Sequence, residues 1–304
     1  MMTQENETGV FIMRDEYRIS YRCYSYSQPQ AILLLLPGFG LSGEDYVSCC
    51  QHLVKSSAAI VYSPGLRGLG DSQCKPGDVD YIGQLQDDLS DMIETILSNH
   101  PGIPLVLAAH SGSSSLAISY LASKPTSPVA ALYLVAPVFF GHMEYYRHIK
   151  PAYHFIHYGR YHRKPCEHPT SKFEVRQQFR YSLLRHSIGA TLKPLQKIRV
   201  LRVRRDAEQP WRSYSYRFLQ SYCCHHLEKT LEHLTLPVYV MAGYEDEVML
   251  PDAVFSLLNW HLAPGILREA HCVSRMGHFS ILVIASTLIG LWLRNTIATY
   301  AGGK

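Results

Sequence analysis

Ser111 stands between a histidine and a glycine in the stretch AAHSGSSSL, directly after the apolar run 103–109. A serine hydroxyl attacks a carbonyl only when a neighbouring base removes its proton. That base works best when a carboxylate fixes its tautomer. Taken alone, a serine at this place is an ordinary helix N-terminal residue. The chemistry therefore depends on whether other segments bring an acid and an imidazole to the same rim. In LPVYVMAGYEDEVMLP an apolar run closes at Gly243, and a turn carries Glu245, Asp246 and Glu247 before Pro251 opens a helix. In HCVSRMGHFSI the run 267–273 gives way to Gly277 and His278. His271 falls inside that run, where it is expected to pack or face solvent. His110, beside the serine, is expected to pack and support.

The elements that must position these residues are legible in the apolar pattern. AILLLLPGFG is a continuous run closed by Pro37-Gly38, as expected of a strand buried on both faces. Residues 58–62, 105–109, 130–135 and 238–242 read as further buried strands. Between two of them Leu85, Leu89, Met92, Ile93 and Ile96 recur at helical spacing, with Asp87 and Asp88 near the helix start. Residues 10–13 and 17–24 read as a hairpin at a sheet edge. Strand and helix alternate, which predicts an α/β fold with an open, mostly parallel central sheet flanked by helices. Ligands of such sheets sit at the carboxyl ends of the strands, where all three chemical segments fall.

The alternation breaks between 139 and 222. Tyrosines, histidines and arginines replace strand runs, and prolines punctuate short helical pieces such as 174–186. This predicts a helical cap at 139–222 inserted after a core strand, with residues 1–138 and 223–304 as the core. The net charge of +4 is divided unevenly. Residues 141–217 hold 17 Lys+Arg against 5 Asp+Glu, so a basic middle sits in an acidic body.

The order serine, acid, histidine, each on a loop after a strand, is that of α/β-hydrolases. Here the chain resembles that superfamily, and within it the monoacylglycerol lipase, lysophospholipase and serine aminopeptidase-like branch. The resemblance covers residues 30–138 and 236–298. LLLLPGFGLSGEDY resembles the branch's oxyanion loop, YSPGLRGLGDS its Asp-Leu-Arg-Gly-His-Gly-x-Ser stretch, AAHSGSSS its nucleophile elbow, and GYEDEVMLP its acid loop. The likeness implies Ser111 as nucleophile, Asp246 as acid and His278 as base, with the backbone N–H groups of Phe39 and Gly112 binding the oxyanion. Three departures stand out. Ala109 and Ser113 replace the glycines of Gly-x-Ser-x-Gly, Pro37 stands where the branch has histidine, and Gly65 replaces the aspartate before Leu-Arg-Gly. Small side chains still suit the tight strand-to-helix turn, at the cost of some strain.

Composition narrows the rest. With 47% apolar and 18% charged residues over 304 positions, the chain can bury a sizeable core. Its first residues lack the basic-then-apolar pattern of a secretory signal, and its longest weakly polar run, 279–293, is short for a membrane span. A cytoplasmic protein, peripheral to a membrane at most, is expected. The sequence Cys223-Cys224-His225-His226 cannot converge on one ion, since consecutive side chains point to different faces. Neither a metal nor an organic cofactor is implied. Gly68-Leu69-Gly70 lacks the residues of a phosphate loop, and no nucleic-acid module is recognisable. The expected activity is cleavage of a carboxylic, lipid-like acyl ester through an acyl-enzyme, with Phe139, Phe140, Phe155 and Ile156 as candidate walls of an acyl pocket. The basic segment suits an anionic membrane surface or a phosphorylated acyl carrier. Alternatives are a thioesterase or acyltransferase using such a carrier, a peptidase, and a non-catalytic receptor that keeps the hydrolase pocket.

Overall fold

A computed structural model describes residues 5–69, 76–140, 142, 174–177, 192–204 and 212–302. Eight strands form one sheet: β1 (Glu5–Ile12), β2 (Arg18–Ser25), β3 (Ala31–Leu36), β4 (Ala59–Pro64), β5 (Leu105–His110), β6 (Val129–Val135), and, further along the chain, β10 (Val238–Gly243) and β11 (Leu267–Val273). Their spatial order is β1-β2-β4-β3-β5-β6-β10-β11. The edge pair β1–β2 is antiparallel, as is β2–β4, and every other neighbouring pair is parallel. This is the expected α/β-hydrolase sheet with a hairpin at one edge.

All six residues of β3 are buried, because helices cover both faces. Ile32, Leu34 and Leu36 join the face packed by α2 (Gln84–Asn99) and α3 (Ser113–Ser123). Leu33 and Leu35 join the opposite face, with Cys50 and Leu53 of α1 (Val47–Ser57) and Trp292 of the terminal helix Leu282–Gly302. Strand side chains alternate between faces, so an unbroken apolar run is what two covered faces require. Among the described residues no helix is long and apolar enough to cross a membrane.

Between β6 and β10 the described chain carries a second sheet. Strands β7 (Glu174–Gln177), β8 (Arg199–Arg204) and β9 (Arg212–Ser215) pair antiparallel in that order. The piece expected to be helical from 174 thus opens as a strand, and 178–186 lies outside the described residues. Five helices are described from here on: α4 (Lys193–Gln196), α5 (Tyr216–Tyr222), α6 (Leu227–Glu232), α7 (Pro251–His261) and α8 (Leu282–Gly302).

Polar contacts bolt this region to the core. Arg217 donates from Nε and Nη2 to the two oxygens of Asp78, at 2.8 and 2.7 Å, and from Nη1 to the Asp80 carbonyl. Ser215 Oγ donates to Asp78 as well, while its own oxygen caps α5 by accepting from Phe218 N. Burial opposes ionisation of Asp78, but Arg217 and Ser215 more than offset it and its pKa lies below the ordinary carboxylate value. Gly77, at φ +68°, belongs to the same joint, and a Cβ there would stand 2.0 Å from the Ser213 carbonyl oxygen. Removing one partner of a buried ion pair leaves the other charge uncompensated. Arg217→Met is therefore expected to lower unfolding stability by about 3 kcal/mol, read from urea denaturation; a loss under about 0.5 kcal/mol would place this pair among solvated surface pairs.

Candidate active site

The turn from β5 into α3 puts Ser111 at φ +54°, a left-handed backbone that L-residues with a Cβ rarely adopt. Two backbone bonds hold it there: Ser111 N–H donates to the Val135 carbonyl at 2.9 Å, and Val138 N–H donates to the Ser111 carbonyl at 3.0 Å. The strain falls on the serine itself, whereas Ala109 is buried without it. Gly112 is dictated by packing, since a Cβ would lie 2.3 Å from the Phe140 ring and 3.0 Å from that of Tyr222.

Ser113, where the family elbow has glycine, has work of its own. Its Oγ donates to the Pro37 carbonyl at 2.5 Å and, having spent its one proton, accepts from the Tyr222 hydroxyl at 2.9 Å. Two departures from the family pattern, Pro37 and Ser113, are thus joined by one hydrogen bond. Sequence reasoning missed this link because it connects loops 76 residues apart.

Asp246 follows β10 and is fully buried. Its Oδ1 accepts from the Val248 and Met249 amides at 2.8 and 2.9 Å, which leaves Oδ2 facing His278 Nδ1 at 2.9 Å. Of its neighbours in the acidic turn, Glu245 is exposed, while Glu247 turns inward and accepts the His278 backbone N–H at 2.8 Å. Gly243 lets the histidine loop cross the end of β10, because a Cβ there would stand 2.0 Å from the Met276 carbonyl oxygen. The other ring nitrogen of His278, Nε2, lies 2.7 Å from Ser111 Oγ. Positions 111, 246 and 278 therefore meet in one unbroken chain of hydrogen bonds. Burial opposes protonation of His278, yet the Asp246 carboxylate, with Glu247 adding to it, raises the pKa above the ordinary 6.5.

His110 fills the supporting place expected of it. Tyr46 Oη accepts the Gly38 amide proton at 2.8 Å, so its own proton goes to His110 Nδ1 at 2.7 Å. The remaining ring N–H then points at the His278 carbonyl, 3.2 Å away. Complete burial, helped by the neighbouring His278, pushes the His110 pKa down to about 3, so the ring is neutral at ordinary pH. The loop after β3 and the histidine loop are thereby tied through one uncharged imidazole. Gly38 also packs directly on the serine, with an added Cβ 3.1 Å from Ser111 Cβ.

Beside the serine, Phe39 N–H and Gly112 N–H make no hydrogen bond among the described residues. The Phe39 ring meets Tyr214, Phe140 and Tyr222, with centroids 4.7, 5.1 and 5.3 Å away. Phe139 is buried in the core, and Phe155 and Ile156 lie outside the described residues, as does most of the basic segment. His271 sits on β11 bonded to Glu269 at 2.8 Å and stacked near Trp292, remote in role from Ser111. Cys223 and Cys224 are buried, whereas His225 and His226 are exposed, so the four do not face one point.

Residues 27–193, more than half of the chain, match the family model described as serine aminopeptidase, S33. The chain belongs to that family of α/β hydrolases. Solved structures share the S33 chain's architecture at low identity. A thermostable carboxyl esterase from Bacillus coagulans, solved with glycerol, is 14% identical with a TM-score of 0.65, covering 97% of this chain and 100% of its own. Est1E from Butyrivibrio proteoclasticus, solved with ferulic acid, is 12% identical with a TM-score of 0.63, covering 95% and 100%. A soluble variant of the monoglyceride lipase from Saccharomyces cerevisiae, solved with a substrate analogue, is 14% identical with a TM-score of 0.61, covering 97% and 96%. No curated protein sequence matches the chain. Identities this low speak for the fold.

Proposed function

We propose that this S33-family chain is a serine hydrolase that cleaves carboxylic esters through an acyl-enzyme. One observation carries the reading: Ser111 Oγ lies 2.7 Å from the Nε2 of an imidazole whose Nδ1 lies 2.9 Å from a buried carboxylate. With Asp246 accepting Nδ1–H, Nε2 bears the lone pair and takes the Ser111 proton as Oγ bonds to the substrate carbonyl carbon. The carbonyl oxygen becomes an oxyanion held by the Phe39 and Gly112 amides, each contributing on the order of 3 kcal/mol. His278 then passes its proton to the leaving alcohol oxygen as the C–O bond breaks. Water, deprotonated by the same nitrogen, attacks the acyl-serine, and Oγ recovers its proton on release of the acid.

The aromatic wall of Phe39, Phe140, Tyr214 and Tyr222 suits an apolar acyl group, in keeping with the ester and glyceride substrates named for structural neighbours. Residues 139–222 serve as the cap that carries much of this wall. The S33 family name also favours a second reading, an aminopeptidase. A panel of p-nitrophenyl esters of graded acyl length, matched acyl thioesters and aminoacyl amides tests these readings. Oxygen esters are expected to be hydrolysed with the highest kcat/KM, rising with acyl length; thioesters ahead would point to carrier-linked substrates, and amides ahead to the peptidase.

A further inference from the structure

Glu247 takes no part in the steps above, and the sequence presents it as one of three carboxylates in a turn. In the fold it reaches back beneath the base. Its Oε2 accepts the His278 backbone N–H at 2.8 Å, and a Cβ on Gly277 would stand 2.6 Å from that same oxygen. The bare backbone at Gly277 is what admits the carboxylate to the amide. Adjacent carboxylates therefore hold one histidine at two points, Asp246 on the ring and Glu247 on the main chain.

We propose that Glu247 is a positioning residue of the hydrolytic site, a second carboxylate that fixes the His278 main chain and stabilises the imidazolium formed when Ser111 gives up its proton. This rests on the reading that Ser111 and His278 carry the reaction. Few groups face His278. Besides Ser111 these are the two carboxylates, the His110 ring at 5.4 Å between centroids with Tyr46 behind it, and the Phe279 ring edge-on at 5.0 Å. His110 is neutral and Phe279 carries no charge, so among the described residues Asp246 and Glu247 are the groups that favour the protonated ring. Glu247 acts on the nitrogen that anchors the residue, so it governs where the ring stands as well as how readily it takes a proton.

The test separates charge from position. Glu247→Gln keeps an oxygen acceptor for the amide but removes the charge, and Gly277→Ala pushes the intact carboxylate aside. Ester kcat/KM is followed from about pH 5 to 9, beside the pH dependence of fluorophosphonate labelling, which needs no deacylation. For Glu247→Gln the acid-limb midpoint is expected to fall by about half a pH unit and the plateau by about threefold, with the melting temperature kept. Gly277→Ala is expected to move the midpoint the same way, and the double variant no further than the larger single change. Should Glu247→Gln fail to fold, Gly277→Ala decides, because only the flexible end of a side chain must give way there. An unchanged or raised midpoint in the folded variants, with Ser111→Ala inactive, overturns the role of Glu247. Ester turnover surviving in Ser111→Ala overturns the underlying reading instead.

Discussion

Ser111→Ala is expected to lose ester turnover by at least about 10⁴-fold and to lose fluorophosphonate labelling altogether, while unfolding at nearly the wild-type temperature. The loss is large because, among the described residues, the neighbouring serine hydroxyls are already engaged. Ser113 spends its proton on the Pro37 carbonyl, and Ser115 Oγ is engaged between the Val138 carbonyl and the Phe140 amide. Any residual rate is expected from water attacking a bound ester polarised by the proposed oxyanion amides of Phe39 and Gly112. Folding should survive, because the two backbone bonds that pin position 111 involve no side-chain atom. The strained φ of +54° is unfavourable for alanine as for serine, so the substitution neither relieves nor adds much strain. Mass spectrometry of the labelled protein and a thermal melt read both halves of this expectation. A variant that still labels would remove Ser111 as nucleophile.

Asp246→Asn should cost about 10⁴-fold in kcat/KM near neutral pH, for a reason visible in the acid loop. Oδ1 accepts two backbone amides, from Val248 and Met249. An asparagine must put its carbonyl oxygen there, since its NH₂ would face two donors. The NH₂ then points at His278 Nδ1 and makes that nitrogen the acceptor, which moves the imidazole proton to Nε2, facing Ser111. A base with its proton already on the catalytic side cannot take another. Stability should hold, because the two amide bonds persist. The check is kcat/KM against pH with a melt alongside; a loss below about tenfold would mean that the tautomer is set by something other than position 246.

Much of the fold was legible because burial on two faces leaves an unmistakable sequence trace. The runs that became β3, β5 and β10 have every residue buried, and the helical recurrence from Leu85 to Ile96 became α2. The small sheet before α5 was not read. Arg199–Arg204 does carry apolar residues between arginines, but Val200 and Leu201 are consecutive and both buried, which the register shift between Arg199 and Leu201 accommodates, so the strand lacks a clean two-residue period. The charge of the segment drew attention instead. Glu247 was not told apart from Glu245 for a different cause: an exposed acidic turn and a turn with one carboxylate folded inward have the same composition.

The segments carrying Ser111, the acidic turn and His278, each after a strand, could be picked out from the chain alone, since a parallel sheet sends its strand ends to one rim; it was the family likeness that singled out Asp246 within the turn. The amino-acid order also determined the glycines at 112, 243 and 277, but not why each had to be one. Tertiary structure decided that Ser113 ties down Pro37, that His110 stays neutral between Tyr46 and the His278 carbonyl, and that Glu247 rather than Glu245 reaches the base. Each of these is a hydrogen bond, from 2.5 to 3.2 Å long, between segments distant in the chain. Such bonds depend on side-chain direction and burial, and neither exists until the sheet has brought the loops together.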